Sequence, residues 1–391
     1  MEKFTVIITH YNQMQYIEEA LKSVLKQSYK NIELIVADDC SMQFNKKKVK
    51  EIIEKYNKKN YSYKIVQGKK NVGTVKNLNN ALNEATGNYI LFFAADDKLD
   101  NTRVISNFVS EFKDENKNVI TSQCGLYDKD LKKKISDYVN NKIALKLNKK
   151  TSDKMYEKMC EGCFYGAGGT AYRKQVFEKY GSFNEKYIYV EDWAYWLHIL
   201  RNGEKIYYAD FDTLCHRDGG ISHSTYTKKT IPPHVKQYYK DILNIYESEV
   251  IPYLDKFTTK EQYKILKQYN QTILYYLSFV PELFPYLKRL DEIRIENKKL
   301  KYYWKLQTFK SIFSIHLIEK IKILFKYNKV VPITAIVWVI ISFLLINSYN
   351  FPNNNYLLGA CIILYIIIYY IIYMVNRMIY YFDIIKTKNR G

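Results

Sequence analysis

Two adjacent aspartates, Asp96 and Asp97, follow the apolar run Tyr89–Phe93. Five consecutive apolar residues predict a strand that is buried on both of its faces. A parallel sheet usually places its ligand site at the carboxyl ends of its strands, which is where these two carboxylates fall. Neighbouring carboxylates repel each other unless a cation offsets their charge. A divalent metal that carries a phosphorylated substrate would do so, and a solvated acidic turn is the alternative.

Three other polar segments follow a predicted strand or open a predicted helix. Thr9-His10-Tyr11-Asn12 ends the first strand, Asp38-Asp39-Cys40-Ser41 ends the second, and Glu191-Asp192-Trp193 opens a later helix. Because the carboxyl ends of parallel strands meet at one edge of a sheet, the first two segments and the aspartate pair should lie close together. Three polar strand ends at one edge favour a nucleotide site more strongly than one acidic strand end does.

The elements that must position these residues alternate along the first quarter of the chain, residues 4–97. The predicted strands are Phe4–Thr9, Ile32–Ala37, Tyr63–Val66 and Tyr89–Phe93, and the predicted helices are Tyr16–Val24, Val49–Tyr56 and Val75–Leu82. This alternation predicts an α/β fold in which a parallel sheet carries helices on both faces.

Residues 98–220 are less regular. The predicted elements are a helix near Arg103–Phe112, a strand at Val119–Gln123, a helix around Asp192–Leu200 and a strand at Lys205–Ala209. The glycine cluster in Gly166–Thr170 lacks both the G-x-G-x-x-G and the Walker spacing. It favours either room for a bound acceptor or a plain loop.

The composition of the 391-residue chain is strongly basic, with 60 Lys and Arg against 40 Asp and Glu and a net charge of +20. This charge favours an anionic partner such as a membrane surface or a phosphorylated substrate. Nucleic acid is not expected, because no zinc finger, RNP motif or basic leucine zipper occurs. The six cysteines do not form a secreted disulfide framework. No signal peptide is expected, because Met1 leads directly into the first strand.

The C-terminal part of the chain predicts a membrane attachment. Residues 226–300 read as a helical extension, and 301–329 as a basic amphipathic juxtamembrane segment. The uncharged runs Val330–Asn347 and Tyr356–Val375 predict a two-helix transmembrane hairpin over 330–375, since 18 helical residues span about 27 Å. A basic tail, 376–391, follows. Lys and Arg flank both outer ends, so the catalytic domain and both termini are expected in the cytoplasm. A helical hairpin buried in a soluble protein is the alternative.

The N-terminal part resembles the family 2 glycosyltransferases, which have the GT-A fold. The matching blocks read VIITHYNQMQYIEEALKSVLKQSYKNIELIVADDCS (6–41), NVGTVKNLNNALNEATGNYILFFAADD (71–97) and YGSFNEKYIYVEDWAYWLHILRNG (180–203). The resemblance covers about residues 4–222 and places the catalytic domain at 1–225. It implies an α/β fold with a GT-A type nucleotide-binding mixed sheet flanked by helices.

The resemblance assigns the donor site. Thr9, Tyr11 and Asp39 would hold the base and ribose of a nucleoside-diphosphate sugar, with UDP the nucleotide expected from the family. Asn71 and Asn79 belong to the stretch that lines the nucleotide pocket.

The resemblance also assigns the metal site and the catalytic groups. Asp96 and Asp97 occupy the D-x-D region, where Mg²⁺ or Mn²⁺ bridges the diphosphate. Asp192 would be the general base that deprotonates the acceptor hydroxyl, and Glu191 would assist it or stabilise the helix N-terminus. A single base and a single displacement imply inversion at the anomeric carbon, unlike glycosidases with paired carboxylates.

The segment His216–Ser222 resembles the flexible acceptor-side loop of the family. Arg217 would stabilise the diphosphate and His216 would join the metal site. A plain surface loop is the alternative.

Three positions depart from the family pattern. Ala94 stands where the D-x-D region usually begins with Asp, so one metal or ribose contact is missing. Thr9 stands where Pro is usual. Cys40 stands where Gly is frequent, which argues against a positive-φ turn at that position.

These patterns predict a membrane-anchored inverting glycosyltransferase that adds one sugar to a lipid-linked or cell-surface polysaccharide acceptor. A polyprenyl-phosphate sugar synthase ranks second, and a processive synthase ranks third because no Q-x-x-R-W motif occurs. A non-catalytic membrane scaffold that kept the fold and lost the chemistry is the alternative from another class. Ala94 favours the scaffold, whereas Asp96 and Asp192 argue against it.

Overall fold

The structure, a computed structural model, describes residues 1–59, 61–219 and 232–277. The strands are β1 (Phe4–His10), β2 (Ile32–Asp38), β3 (Ser62–Gln67), β4 (Tyr89–Ala94), β5 (Lys98–Leu99), β6 (Val119–Tyr127), β7 (Lys134–Asp137), β8 (Thr170–Arg173) and β9 (Ile206–Arg217). The helices are α1 (Ile17–Leu25), α2 (Lys46–Tyr56), α3 (Thr74–Asn83), α4 (Val104–Glu111), α5 (Asn141–Asn148), α6 (Ser152–Met159), α7 (Lys174–Tyr180), α8 (Glu191–Arg201), α9 (Pro233–Ile245) and α10 (Thr259–Leu277).

The nine strands described form one mixed sheet in the order β3-β2-β1-β4-β8-β6-β9-β5, with β7 paired to β6. The first four strands along the chain pair in parallel, which confirms the alternation predicted from the sequence. β8 is antiparallel to both β4 and β6, and β6 is parallel to β9. Helices flank the sheet, so the predicted α/β class with a mixed sheet is confirmed.

The parallel half places three strand ends in a single row. Thr9 lies opposite Ala37 of β2 and Ala94 of β4, and His10 lies opposite Asp38. The pairing continues one residue further, because the amide of Asp39 donates to the carbonyl of His10 at 2.9 Å. The polar segments that follow β1, β2 and β4 therefore meet at one edge of the sheet.

The core lies on both faces of the sheet because side chains alternate along each strand. Val6 and Ile8 of β1 pack in a cluster with α1, α2 and α4, whereas Ile7 packs in a second cluster with α3 and α8. All three side chains are fully buried, and each such burial contributes about 1.5–3 kcal/mol. This two-sided core makes the sheet edge a rigid platform for the site.

β9 differs from its prediction. It extends to Arg217 rather than ending at Ala209, with register shifts opposite β6 between Thr121 and Cys124. Its second half is paired to β6 through Leu126–His216 and Tyr127–Arg217. The sequence DFDTLCHR carries no strong apolar run, so its pairing with β6 and β5, rather than its own pattern, fixes it as a strand.

No helix within residues 1–59, 61–219 and 232–277 is long and apolar enough to cross a membrane. The predicted spans at 330–347 and 356–375, the juxtamembrane segment at 301–329 and the tail at 376–391 lie outside the described residues. The predicted boundary at 225 also falls outside them, so the domain limits stay predictions.

Candidate active site

The edge formed by β1 and β2 carries Asp39, which is nearly buried at 4% exposure. Its two carboxylate oxygens accept hydrogen bonds of 2.8 Å from the amides of Val72 and Gly73. Burial raises the pKa of Asp39, although these two amides oppose the shift. The contacts fix the loop before α3 against β2, so Asp39 is held in place at the predicted nucleoside position.

A buried network behind Asp39 braces the same edge. His10 Nδ1 lies 2.7 Å from Asp38, and the Ser41 hydroxyl donates to the same carboxylate oxygen at 2.5 Å. His10 Nε2 accepts from the amide of Gln13 at 3.3 Å, so the imidazole carries its proton on Nδ1. Asp38 and His10 are essentially unexposed, and they tie the ends of β1 and β2 together.

Two left-handed residues shape the loops above this network. Asn12 has φ +55° and Cys40 has φ +60°. The expectation that a cysteine argues against a positive-φ turn at position 40 is therefore wrong. Hydrogen bonds join the two loops, because the backbone amide of Asn12 donates to the Ser41 hydroxyl at 2.8 Å and the Asn12 side-chain oxygen accepts from the Met42 amide at 3.2 Å. These contacts hold Cys40 in a conformation that glycine adopts more easily.

The other residues predicted to bind the nucleotide sugar differ in their burial and in their contacts. Thr9 is half-buried at the end of β1, where its hydroxyl reaches the Phe93 carbonyl at 3.5 Å, and Tyr11 is 48% exposed. Asn71 is exposed and accepts from the Gly73 amide at 3.2 Å.

Asn79 is buried, and its amide is committed to the backbone of Phe183 through contacts of 2.8 and 3.1 Å. The structure therefore uses Asn79 to tie α3 to the loop before α8. The predicted contact between Asn79 and the nucleotide has no support from this geometry.

The aspartate pair divides into two different environments. Asp97 is buried, and its oxygens contact His216 Nδ1 and the amide of Arg217, each at 2.9 Å. Asp96 is half-buried, and burial together with the charge of Asp97 raises the pKa of Asp96 to about 6. Burial alone would lower the pKa of His216, but the charges of Asp97 and Asp96 outweigh it and raise the value.

Arg217 holds the turn that contains Asp96 against the neighbouring elements. It is 5% exposed, and its guanidinium donates to the carbonyls of Asp96 and Lys129 and to Glu19 of α1. The group also stacks over Tyr16 at 4.2 Å from the ring centre. His216 and Arg217 thus belong to the end of β9 rather than to a flexible loop, and the Arg217 guanidinium is occupied by protein groups rather than facing a diphosphate.

The residues around the turn fit a divalent cation that the substrate itself helps to hold. Among the described residues no ready-made group of three or more His, Cys, Asp or Glu ligands occurs. Mg²⁺ sites often use one or two carboxylates together with substrate phosphates, and Asp96 supplies one carboxylate. Asp97 binds His216 Nδ1, which is the carboxylate–histidine pairing seen behind metal-ligating imidazoles. Asp97 therefore orients His216 instead of presenting free oxygens of its own.

Glu191 and Asp192 open α8. Glu191 is buried and Asp192 is half-buried, and negative charge is favourable in the first turn of a helix. Burial raises the pKa of both carboxyls, and the charges of Asp192 and Asp241 raise that of Glu191 further. Asp192 accepts from the amide of Trp193 at 2.7 Å. Glu191 is therefore the carboxyl that keeps its proton more tightly, and Asp192 is the one that reaches solvent.

Polar side chains from three parts of the chain lie near Asp192. Its charge helps to raise the pKa values of Tyr138, Cys163 and Tyr238, after burial as the main cause. Tyr138 and Cys163 are exposed and Tyr238 is half-buried. The loops after β7 and α6 and the helix α9 therefore supply neighbours to the proposed base.

Asp241 of α9 was not recognised in the sequence. It is fully buried, and one of its oxygens accepts from the amides of both Ile188 and Tyr189 at 2.8 Å. Its other oxygen accepts from the Gln237 side chain at 2.8 Å. No motif surrounds this aspartate, so only its tertiary contacts reveal a link to the segment before α8.

The glycine cluster serves close packing. A β-carbon on Gly169 would lie 2.5 Å from the Cys124 sulfur and 3.0 Å from the Ser122 carbonyl, and one on Gly168 would lie 2.5 Å from Leu214. The cluster therefore lets the chain approach β6 and β9, which neither the acceptor-space nor the plain-loop interpretation anticipated.

Comparison with known proteins agrees with this architecture. Residues 5–181 match the family model described as Glycosyl transferase family 2. The match covers β1 to α7 and ends before Glu191 and Asp192. The glycosyltransferase resemblance of the N-terminal part is therefore confirmed, while the roles of the individual residues stay predictions.

Two curated relatives extend the comparison. An "Uncharacterized glycosyltransferase" of Haemophilus influenzae is 24% identical over 329 residues, which is 76% of this chain and 97% of that protein. The "Putative teichuronic acid biosynthesis glycosyltransferase TuaG" of Bacillus subtilis is 36% identical over 94 residues, which is 24% of this chain but only 36% of that protein. The second match thus concerns only a part of each protein.

Among solved structures, a mannosyltransferase from Pyrobaculum calidifontis, in complex with GDP-Man and Mn²⁺, superposes with a TM-score of 0.50 at 14% identity. The alignment covers 80% of this chain and 86% of that one. At this identity the likeness concerns the fold alone. The fold is the predicted GT-A type of mixed sheet flanked by helices.

Proposed function

We propose that the protein is a metal-dependent, inverting glycosyltransferase. It transfers one sugar from a nucleoside-diphosphate sugar, expected to be a UDP-sugar, to a lipid-linked or cell-surface polysaccharide acceptor. The observation that carries this proposal is the arrangement of Asp39, Asp96 and Asp192 on one fixed framework. A buried carboxylate marks the nucleoside end, a half-buried one the diphosphate, and a second half-buried one the acceptor cleft.

The reaction is a single displacement. The acceptor oxygen forms a bond to the anomeric carbon while the bond from that carbon to the diphosphate oxygen breaks, and the nucleoside diphosphate leaves with the electron pair. Asp192 takes the proton of the acceptor hydroxyl. Partial burial of its carboxyl raises the pKa of Asp192, which suits a base working near neutral pH.

Asp96 and His216 would hold the metal, with Asp97 orienting His216. Bound Mg²⁺ or Mn²⁺ supplies charge stabilisation for the leaving diphosphate. Burial and the charge of Asp97 raise the pKa of Asp96, and a divalent ion there would offset this electrostatic cost.

The membrane assignment rests on sequence. The uncharged runs at 330–347 and 356–375 and their basic flanks support a two-span anchor in the cell (inner) membrane with the catalytic domain and both termini in the cytoplasm. Such an anchor would hold the cleft near a lipid-linked acceptor and raise its effective concentration. A polyprenyl-phosphate acceptor would be compatible with the same arrangement.

A non-catalytic scaffold is the second candidate, and two observations favour it. Ala94 removes one expected carboxylate, and the Arg217 guanidinium is engaged by Asp96, Lys129 and Glu19. Thermal unfolding with UDP and Mn²⁺ separates the candidates, because a ligand at 100 times its Kd stabilises the native state by about 2.7 kcal/mol. No shift with UDP, GDP or dTDP would favour the scaffold.

The deciding experiment screens UDP-, GDP- and dTDP-sugars with the purified full chain in detergent and Mn²⁺ or Mg²⁺. Asp192→Asn should lower turnover of the accepted donor by about 10²–10⁴-fold, because general-base catalysis contributes that much. Nucleotide binding should persist in this variant. Wild-type-like turnover in Asp192→Asn would assign the base elsewhere.

A further inference from the structure

The segment Ile188–Val190 lies between the two halves of the candidate site. Ile188 approaches the nucleoside side, because its Cγ2 lies 3.2 Å from the position that a β-carbon on Gly73 would take. Tyr189 lies close enough to Tyr11 and Asp39 for both to add to the rise of its pKa, after burial and Asp241. The next residues, Glu191 and Asp192, open α8.

This segment has little support of its own. The N-cap of α8, Val190, makes no side-chain capping hydrogen bond. The amides of Ile188 and Tyr189 precede the helix, and as partly buried backbone donors they need an acceptor from elsewhere. Asp241 supplies it from α9 by accepting from Ile188 and Tyr189, and the amide of Val190 also stabilises its charge. A carboxylate on a separate helix thus holds the backbone of the segment that leads into α8.

Asp241 is an expensive residue to bury for stability alone. Its exposure is 0%, and amide groups donate to both of its oxygens. A buried carboxylate loses hydration that amide hydrogen bonds must replace. Asp241 lies beside the segment that leads to Asp192, and positioning that segment is a role that accounts for burying a carboxylate there.

We propose that Asp241 is a positioning residue that fixes Ile188–Val190 and thereby places both Tyr189 at the nucleoside and Asp192 at the acceptor. The proposal rests on the glycosyltransferase function proposed above. It assigns a role in the site to α9, which lies beyond the part that matches the family model.

The test compares three substitutions in the full chain. Asp241→Asn keeps an oxygen for both amides and, after rotation of the Gln237 amide, a partner for Gln237. Asp241→Glu keeps the charge but moves it by one methylene, and Asp241→Ala removes the acceptor. Glu33→Ala is the matched control, since Glu33 is equally buried and accepts from Thr5 and Thr86 at the opposite, amino end of the sheet.

Per folded molecule, Asp241→Ala and Asp241→Glu should lower kcat at least tenfold and raise the donor KM, whereas Asp241→Asn should stay within about threefold of the wild type. Glu33→Ala should lower Tm without changing kcat or KM. A role in stability alone would make the Asp241 variants behave like Glu33→Ala, and equal losses in Asp241→Asn and Asp241→Ala would also overturn the proposal.

Amide hydrogen exchange tests the contact between Asp241 and the segment Ile188–Val190 without substrate. The amides of Ile188 and Tyr189 should exchange at least tenfold faster in Asp241→Ala than in the wild type, and near the wild-type rate in Asp241→Asn and Glu33→Ala. If Asp241→Ala does not fold, Asp241→Glu replaces it. Unchanged exchange rates of these two amides would refute the proposal that Asp241 fixes the segment. If the wild-type protein transfers sugar from no donor, the proposed function is refuted. The exchange measurement would still show whether Asp241 fixes the segment.

Discussion

Carboxylates with different surroundings carry the chemistry of this site. Asp39 and Asp97 are buried and fully engaged by amides or by His216, whereas Asp96 and Asp192 keep partial access to solvent. Position in a motif does not distinguish these two groups, but their hydrogen bonds do. The engaged carboxylates are held in fixed positions at the edge of the site, and Asp96 and Asp192 are the more accessible to a substrate.

Glu191 and Asp192 should behave differently although they are adjacent. Because Glu191 keeps its proton to higher pH, Glu191→Gln replaces one neutral group by another of similar shape, and kcat should stay within about threefold. Asp192 must be deprotonated to act, so kcat/KM should fall as pH drops through its raised pKa, which lies above the ordinary value of about 3.9. Steady-state kinetics from pH 5 to 9 measure both effects. Loss of activity in Glu191→Gln would indicate that Glu191, and not Asp192, is the base.

Asp96 should govern the metal requirement. Asp96→Asn removes the half-buried carboxylate, and the Mn²⁺ concentration for half-maximal activity should rise at least tenfold, because the neutral amide is a weaker ligand. A Mn²⁺ titration at saturating donor measures this. Asp100→Asn, on the same stretch of chain, is the control and should leave the titration unchanged. An equal shift in both variants would point to a general effect of surface charge.

At the scale of elements, the parallel half of the sheet could be predicted because its strands are apolar runs separated by amphipathic helices. The end of β9 could not, because its residues are polar and only pairing with β6 makes them a strand. This explains why His216 and Arg217 were expected in a loop. Asp241 was missed for a related reason: its role depends on a contact across 52 residues of chain, which no local pattern records.

The turn after β2 offers a stability test. Cys40 holds φ +60°, which costs a residue with a β-carbon about 1–2 kcal/mol. Cys40→Gly should therefore raise the free energy of unfolding by about 0.5–1 kcal/mol, after the larger chain entropy of glycine is subtracted. Denaturant unfolding measures the change. Cys40→Ala keeps the β-carbon and should give no gain, so an equal gain in both variants would assign the effect to the thiol.

At the scale of the whole molecule, the proposed membrane anchor can be tested by cell fractionation. The full chain should stay in membranes washed with alkaline carbonate. Arg at both span centres, Val339→Arg with Ile366→Arg, should release it, because each arginine costs about 2.5–3.5 kcal/mol at a helix centre. Asn354→Arg, which lies between the predicted spans, is the control and should leave the chain in the membrane. Release of the wild-type chain by carbonate would indicate peripheral attachment through basic residues instead.

The segment Ile188–Val190 has a thermodynamic consequence beyond placement. One end lies beside Gly73 and the other leads to Asp192, so a nucleotide that shifts this segment would also shift the acceptor side of the site. Linkage is reciprocal: the factor by which nucleotide improves acceptor affinity must equal the factor by which acceptor improves nucleotide affinity. Titrations of UDP into Asp192→Asn with and without acceptor would measure that factor. A value of one would mean that the two substrates bind independently.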